Sequence, residues 1–329
     1  MRTEARFPKV PAEDGHYESL YLKAAAPEGG RALWIRHTVH KRPGEAPTGA
    51  VWMTWFDAAR SGPVAAKHQV GPGEISVPDK AYIRVDESEI APGRVQGVID
   101  NGTSASWNLR FKDHAGPLHH FPAQWMYERP LPRTKLLSPH PSASFDGILD
   151  VAGERVNIEA WPGMVGHNWG SEHAESWIWI HGATIAEDGS RGYVDIAAGR
   201  AKLGPLVTPW IVNGEIAHRG ERLRVGGLGR ALRTRIDAEP TSCRFTVGGE
   251  ELVANGAVTA PRDRFVAWVY ADPSGAEHHS LNCSIADLQL HVSRSGREDI
   301  SIRVEGAASY EFGTRRTDHG IDVQPFPDG

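Results

Sequence analysis

The chain has 329 residues, a formal charge of −5 at pH 7 and a pI near 6.3. This length allows two domains of ordinary size, each burying its own apolar core without metal or disulfide support. Because the chain is mildly acidic and its Lys and Arg residues are scattered, the composition argues against nucleic acid or an anionic membrane surface as a partner.

The first residues do not read as a targeting signal. Residues 1–9 are charged and lack the apolar centre of a secretory signal, and no run approaches the roughly 20 apolar residues of a spanning helix. We therefore expect a cytoplasmic protein without a transmembrane segment. Cys243 and Cys283 lack metal-ligand spacing, and in a reducing compartment we expect them to be buried thiols.

Short runs of β-branched and aromatic residues recur along the whole chain. Turn sequences such as Asp100-Asn-Gly102 and Asp272-Pro-Ser-Gly275 separate them. With 36 Gly and 23 Pro, the chain leaves little uninterrupted room for long helices. The pattern predicts a mainly β protein, with strands over residues 18–24, 32–39, 49–56, 81–85, 106–111, 156–160, 177–185, 192–197, 244–247, 264–270, 281–292 and 300–304.

A short internal match indicates a duplicated fold. Segments 16–19 and 173–176 share the pattern His-x-Glu-Ser, and each precedes a strand, a Gly-containing turn and a second strand. The proline-rich stretch 129–142 interrupts the strand pattern between the two copies. We therefore place the domain boundary there, with a first domain over 1–140 and a second over 141–329.

Residues 161–182 hold the greatest density of large and titratable side chains, with four of the 11 tryptophans and three of the 16 histidines. The pattern predicts a Gly-bounded polar turn over 166–170, followed by a strand. In that strand Trp177, Trp179 and His181 alternate with isoleucines, so one face carries the aromatic and ionisable groups. A strand with both faces buried or ligand-facing is typical of a closed barrel or a two-layer sandwich.

With this segment and its duplicated β halves, the chain resembles the AttH-like, lipocalin-like two-barrel proteins. These include carotenoid 1,2-hydratases (hydroxyneurosporene synthases) and pericyclases. The resemblance implies two tandem antiparallel β-barrels. It allows two arrangements, with or without strands exchanged between the halves. It also implies a hydrophobic ligand, often an isoprenoid or a polyketide. The reactions that it implies are hydration, cyclisation or cycloaddition, catalysed without a cofactor. The chain departs from the hydratase-like members at Gly166, where those proteins tend to carry an aspartate before the His of the turn.

His181 is the strongest candidate for acid/base chemistry. When the two copies are aligned on the His-x-Glu-Ser match, the first carries small apolar side chains where the second carries two indoles and an imidazole. The aligned residues are Leu20, Leu22 and Ala24 in the first copy and Trp177, Trp179 and His181 in the second. A barrel that only needs a core has no reason to place His there. The alternative is a buried histidine with a structural hydrogen bond.

Three residues of the predicted turn region complete the candidate catalytic set. His167 and Asn168 would protonate or orient a substrate at a barrel mouth, or instead bond the local backbone. Glu172 would supply the carboxylate missing at position 166, or is simply solvated. The candidate ligand-binding residues are Trp169, Trp177, Trp179, His279 and Asn282.

A three-histidine metal site is the main competing interpretation of the site chemistry. Its candidate ligands are His167, His173, His181 and the pairs His119-His120 and His278-His279. Adjacent histidines on a strand point to opposite faces, and no His-x-His or His-Glu-x-x-His signature is present. We therefore expect no metal and no cofactor.

Two functions remain open at this point. In the first, the protein is a cofactor-independent hydratase, isomerase or cyclase that confines an apolar, terpenoid- or polyketide-like substrate and adds histidine acid/base chemistry. In the second, it is a non-catalytic carrier of a hydrophobic ligand. The missing aspartate favours the carrier, and the His181-for-Ala24 difference favours the enzyme, which is our working hypothesis.

Overall fold

The computed structural model describes residues 3–186 and 188–326, and the protein is mostly β, as predicted. Two large antiparallel sheets dominate, and the helices are short. Those helices are α1 (Trp125–Glu128) and the 3-10 turns Phe7–Lys9, Pro72–Glu74, Leu228–Arg233 and Arg262–Arg264. No helix among the described residues is long and apolar enough to cross a bilayer.

The first sheet has 12 strands, all from the amino-terminal half of the chain. They are β1 (His16–Ala25), β2 (Arg31–Lys41), β3 (Thr48–Asp57), β4 (Val64–Val70), β5 (Ile75–Ser76), β6 (Ile83–Val85), β7 (Ser88–Ala91), β8 (Arg94–Asp100), β9 (Ser104–Asp113), β10 (Leu118–His119), β11 (Thr134–Val151) and β12 (Glu154–Gly170). The spatial order is β4-β3-β2-β1-β12-β11-β9-β8-β7-β6-β5, with β10 on β11.

The second sheet has ten strands, and a separate small hairpin, β15–β16, lies outside it. The strands are β13 (Ser176–Ile185), β14 (Arg191–Arg200), β15 (Lys202–Leu203), β16 (Leu206–Val207), β17 (Ile211–His218), β18 (Glu221–Gly226), β19 (Arg235–Glu239), β20 (Ser242–Gly248), β21 (Leu252–Thr259), β22 (Val266–Ala271), β23 (Glu277–Arg294) and β24 (Ile300–Thr314). The spatial order is β18-β17-β14-β13-β24-β23-β21-β20-β19, with β22 on β23.

The two sheets have the same connectivity, which confirms the predicted duplication. In each, the first strand lies beside the last long strand, and a short extra strand pairs with the strand before it. One sheet is nearly closed into a barrel and the other forms a half barrel. Each sheet is built from one continuous part of the chain, so within the described residues no strand is exchanged between the halves.

The chain passes from the first sheet to the second between Gly170 and Ser176. The boundary predicted from the sequence, at residue 140, lies inside β11. The prolines and the polar residues that follow them suggested a break in the strand pattern, but β11 continues through them. Its pairing with β12 shifts register between Leu137 and His140 and again between His140 and Ala143. Such irregularities let a strand carry residues that cannot donate to the ladder.

The two halves pack against each other through aromatic residues. Trp52 of β3 lies 5.0 Å from Trp268 of β22, centroid to centroid, and Trp34 of β2 lies 6.4 Å from the same ring. All three indoles are almost fully buried and belong to one apolar cluster with the second sheet. Tyr21 of β1 also lies edge-on to Trp179 of β13, with 5.6 Å between ring centroids, so the faces of these strands that point away from their own cores meet between the sheets.

Candidate functional site

A cavity of about 400 Å³ lies between the two sheets, within the size range of small-molecule sites. β1, β2, β11 and β12 line one side, and β13, β14, β17, β22 and β24 line the other. Small residues at 197–199 of β14 leave the space open. A larger groove of about 760 Å³ over β19–β21 is open to solvent. The aromatic residues of the cavity are Tyr17, Tyr21, Trp34, Phe121, Trp177, Trp179 and Tyr270.

Residues 166–170 are the end of β12 rather than the predicted polar turn. Glycine serves close packing here, because none of the glycines in this stretch has the positive φ that a turn would need. A Cβ at Gly166 would lie 2.2 Å from Cζ of Tyr21, its cross-strand partner on β1. At Gly170 a Cβ would lie 1.9 Å from the carbonyl oxygen of Arg133.

The strand conformation sends His167 and Trp169 to the face opposite the cavity. Neither residue lines it. His167 Nε2 lies 2.7 Å from Oε1 of buried Glu18, whose carboxylate also accepts the backbone N–H groups of Arg6 and Phe7. Burial alone would raise the pKa of Glu18, but hydrogen bonds from the two histidines that flank it lower the pKa to about 2. This arrangement is a buried cluster of hydrogen-bonded imidazole and carboxylate groups that faces away from the cavity.

Asn168 and Glu172, from the same predicted set, do line the cavity. Asn168 is on the cavity face of β12, and its Oδ1 has no hydrogen-bond partner among the described residues. Glu172 forms an ion pair with Arg133, so it is held by a neighbour rather than merely solvated. Both remain candidates for contacting a ligand.

Two of the three tryptophans predicted for ligand binding, Trp177 and Trp179, line the cavity, and each indole donates to a carboxylate. Trp177 Nε1 donates to Glu311 Oε1 at 2.7 Å, and Trp179 Nε1 donates to Asp195 Oδ1 at 3.1 Å. Asn282 stands behind this wall, because its Nδ2 donates to the other oxygen of Glu311 at 3.2 Å. His279 lies elsewhere and pairs with His319, with the two ring nitrogens 2.7 Å apart.

His181 is completely buried but does not line the cavity. Its Nε2 is 2.9 Å from the carbonyl oxygen of Pro141, and its ring stacks on Trp179, which does face the cavity. Burial, with the nearby charge of Lys23, lowers the pKa of His181 to about 4. The imidazole is therefore neutral at pH 7 and set apart from the space where a ligand would bind.

The comparison that singled out His181 rested on the wrong alignment. β1 and β13 each span ten residues, and Tyr17 and Trp177 each face a glycine on the last long strand of their sheet. The cavity face of β1 therefore matches that of β13 when Tyr17 is paired with Trp177. The His-x-Glu-Ser match is three residues out of this register, so it compares opposite faces of the two strands.

The histidine that lines the cavity is His173, which the sequence suggested only as a candidate metal ligand and as part of the internal match. It lines the cavity, its ring stacks on Tyr17 with 3.9 Å between centroids, and its side chain is 9% exposed. Oδ1 of buried Asp272 lies 2.8 Å from His173 Nδ1 and accepts the His173 backbone N–H at 2.7 Å. With Nδ1 donating to the carboxylate, Nε2 carries the free lone pair.

Asp272 holds this imidazole as an ionised carboxylate. Burial would raise its pKa, but the hydrogen bonds from His173 outweigh burial, and the pKa is lowered. The sequence marked Asp272 only as the first residue of a turn, and that turn is present, since Gly275 N–H bonds back to the Asp272 carbonyl. Nothing local in the sequence signals a partner 99 residues away.

Comparisons with known proteins fit this architecture. No family model matches the chain. Uncharacterized proteins from two strains of Mycobacterium tuberculosis, CDC 1551 and H37Rv, are 28% identical to it over 94% of this chain and 93% of theirs. A putative AttH from Nitrosomonas europaea matches its structure with a TM-score of 0.56 at 13% identity, covering 94% of this chain and 96% of that one.

Two further solved structures are similar over most of their length. Kievitone hydratase from Nectria haematococca has a TM-score of 0.55 at 11% identity, covering 93% of this chain and 90% of that one. CghA has a TM-score of 0.54 at 11% identity, covering 91% and 88%. The chain has the AttH-like fold. The resemblance predicted from the sequence is confirmed at this level.

Within this AttH-like fold, one donor cluster joins two of the histidines considered as metal ligands, His173 and His278, with Asp272 in place of a third histidine. Ligand atoms of His173, Asp272 and His278 lie within 4.8 Å of one another. His278 is fully buried, neither of its ring nitrogens has a hydrogen-bond partner among the described residues, and its Nδ1 lies 3.9 Å from Asp272 Oδ2. Burial, with the neighbouring His173, lowers the pKa of His278 to about 4. His278 is therefore neutral and lies behind the His173–Asp272 pair. In that pair, His173 Nδ1 and Asp272 Oδ1 already form a hydrogen bond with each other.

Proposed function

We propose that the protein is an enzyme of the hydratase or cyclase type that acts, without a cofactor, on a small molecule with an apolar body held between the two sheets. His173 is the acid/base group. The observation that carries this proposal is that His173 lines an aromatic cavity while a buried carboxylate fixes its tautomer. An imidazole oriented by a carboxylate is a recurrent arrangement for proton transfer.

The proton steps follow from the hydrogen bonds. The Nε2 lone pair of His173 takes a proton from an attacking water or from an acidic C–H of the substrate, and Asp272 stabilises the imidazolium that forms. The imidazolium then returns the proton to the developing carbanion or to a leaving hydroxyl. Since the cavity lies between sheets, little bulk water competes for that proton.

Glu311 and Asn168 have positioning roles in this proposal. Trp177 and Asn282 donate to the two oxygens of Glu311, so this carboxylate is held in one orientation at the cavity wall. Asn168 offers an unpartnered amide oxygen on the opposite side. Together they can hold a water or a substrate hydroxyl next to His173.

The aromatic lining supports an unsaturated or ring-containing substrate body, as a terpenoid or polyketide would have. Rings such as Tyr17 and Trp177 pack on flat hydrocarbon faces. Kievitone hydratase is named for a hydration reaction, and its shared fold supports a hydratase here. The role first predicted for His181 passes to His173, because only His173 lines the cavity.

The first experiment identifies the ligand and then removes the imidazole. Native mass spectrometry of freshly purified protein should detect an apolar molecule, whose conversion is followed by liquid chromatography. His173→Ala should lower kcat by a factor of about 10² to 10⁴ while binding persists. Unchanged turnover in this variant would refute the catalytic role, and bound but unconverted ligand in the wild type would identify a carrier. Dialysis against a chelator should leave turnover unchanged.

A further inference from the structure

Arg36 is an isolated cation at the cavity wall. It lies on β2, its side chain lines the cavity, and the residue is 4% exposed. Its Nε donates to Ser19 Oγ at 2.7 Å, and its Nη1 is buried without a partner among the described residues. No carboxylate in the described part of the chain forms an ion pair with it.

A buried guanidinium normally has an anionic partner, because removing the charge from water is costly unless an opposite charge replaces the lost hydration. Aromatic rings offset part of that cost here. Arg36 Cζ lies 3.9 Å from the centroid of the Tyr270 ring and 5.1 Å from that of Trp52. Ring contacts leave the in-plane N–H donors of Nη1 unused, and such donors match the oxygens of a carboxylate.

We propose that Arg36 binds a carboxylate of the substrate, so that the molecule held in this cavity is an organic acid with an unsaturated apolar body. This inference rests on the proposed function, since it takes the cavity as the substrate site. It narrows the substrate class, because a neutral hydrocarbon would leave the Arg36 charge buried and unpaired.

The position of Arg36 also orients the substrate. The Tyr270 ring contacts Arg36 on one side and lies 5.8 Å from the His173 ring, centroid to centroid. A carboxylate on Arg36 therefore places the neighbouring carbons of the acid near His173, where proton transfer would occur. Glu311 also lines the cavity, and its negative charge disfavours the reversed orientation.

Two ligands of nearly equal shape test the proposal. Isothermal titration compares 2-naphthoate with 2-naphthamide, its neutral counterpart, at low and high salt. We expect the wild type to bind the naphthoate at least ten-fold more tightly, with a preference that weakens as salt rises. Arg36→Met should reduce the preference to less than two-fold. Arg84→Met, which removes a half-exposed arginine on β6, should leave it unchanged.

Lys202→Met is a second control, since Lys202 is an exposed cation at the cavity rim. If this variant rather than Arg36→Met loses the preference, the carboxylate subsite assigned to Arg36 is wrong. The wild-type comparison itself needs no variant to fold. Equal binding of both ligands overturns the inference but leaves the proposed function standing, whereas binding of neither argues against both.

Discussion

β1 and β13 are equivalent strands that face each other across one cavity. Each buries aliphatic side chains in its own half, such as Leu20 in the first and Ile180 in the second. Each turns aromatic residues toward the other half, with Tyr17 on β1 and Trp177 on β13. The duplication therefore produced a site that neither half contains alone, formed by the faces that do not build the two cores.

The halves differ in the charged groups that they bring to this shared space. The first contributes Arg36, and the second contributes His173 with Asp272, and Glu311. The first half also has an imidazole–carboxylate contact, between His167 and Glu18, but it faces away from the cavity. Similar chemistry thus has a structural role in one half and, in our proposal, a catalytic role in the other.

The largest expected effect comes from Asp272→Asn. The amide can no longer stabilise an imidazolium and favours the wrong tautomer of His173, so kcat should fall by a factor on the order of 10³ while the substrate Kd changes little. Steady-state kinetics over a pH series measures this. Asp263→Asn, at an exposed carboxylate, is the matched control. Equal kinetics in the two variants would remove Asp272 from the mechanism.

The corresponding change in the first half should affect stability instead. Glu18→Gln leaves His16 and His167 without their carboxylate and should cost on the order of 3 kcal/mol near pH 7, with turnover of the folded fraction retained. Denaturant unfolding measures the loss, with exposed Glu13→Gln as the control. A stable variant without activity would mean that the two imidazole–carboxylate contacts have the opposite roles.

The same carboxylate sets an acid limit. The pKa of Glu18 is about 2 in the folded protein against 4.5 in an unfolded chain, so its contribution to stability is present above pH 4.5 and is lost as pH falls toward 2. Glu18→Gln should flatten this part of the stability curve. An unchanged acid slope in the variant would show that other carboxylates dominate it.

Gly166→Ala tests the close approach of β1 and β12. The new methyl group would meet the Tyr21 ring, so we expect a loss of about 1–3 kcal/mol and weaker ligand binding, as Tyr21 is displaced into the cavity. Gly71→Ala is the control, because nothing lies within 4 Å of its added Cβ and its φ is −79°. Melting temperatures of the two variants should differ by several degrees, and equal values would contradict the packing described here.

The smallest effect on turnover is expected at His181. His181→Ala should leave kcat within about three-fold, because the ring does not line the cavity. In the wild type the pKa of His181 is lowered from 6.5 to about 4, so its burial makes stability fall as pH drops through that range, and the variant should lose this dependence. A large kcat loss with intact folding would restore His181 as the catalytic group.

Much of the fold could be predicted because β structure has a local signature. The alternation at residues 177–181 correctly put Trp177 and Trp179 on one face, and the Gly- and Pro-rich turns marked the strand ends. The glycines at 166–170 were misread, since the sequence does not distinguish a glycine that turns the chain from one that admits a neighbouring ring. The tertiary contact decides between them.

The site was less predictable because its key contacts join distant parts of the chain. His173 and Asp272 are 99 residues apart, and they meet because β22 pairs with β23, which β24 separates from β13 in the sheet. The misalignment of the two halves had a second cause. A register error of an odd number of residues exchanges the two faces of a strand, and it made Ala24 the counterpart of His181 instead of Tyr21.

A crystal structure with the ligand identified by mass spectrometry is the most direct test of where the chemistry takes place. We predict that the ligand lies between the sheets, packed on Tyr17 and Trp177, with a polar or reacting atom within hydrogen-bond distance of His173 Nε2. A ligand bound instead in the open groove over β19–β21, or inside one barrel and out of reach of His173, would contradict a catalytic site shared by the two halves.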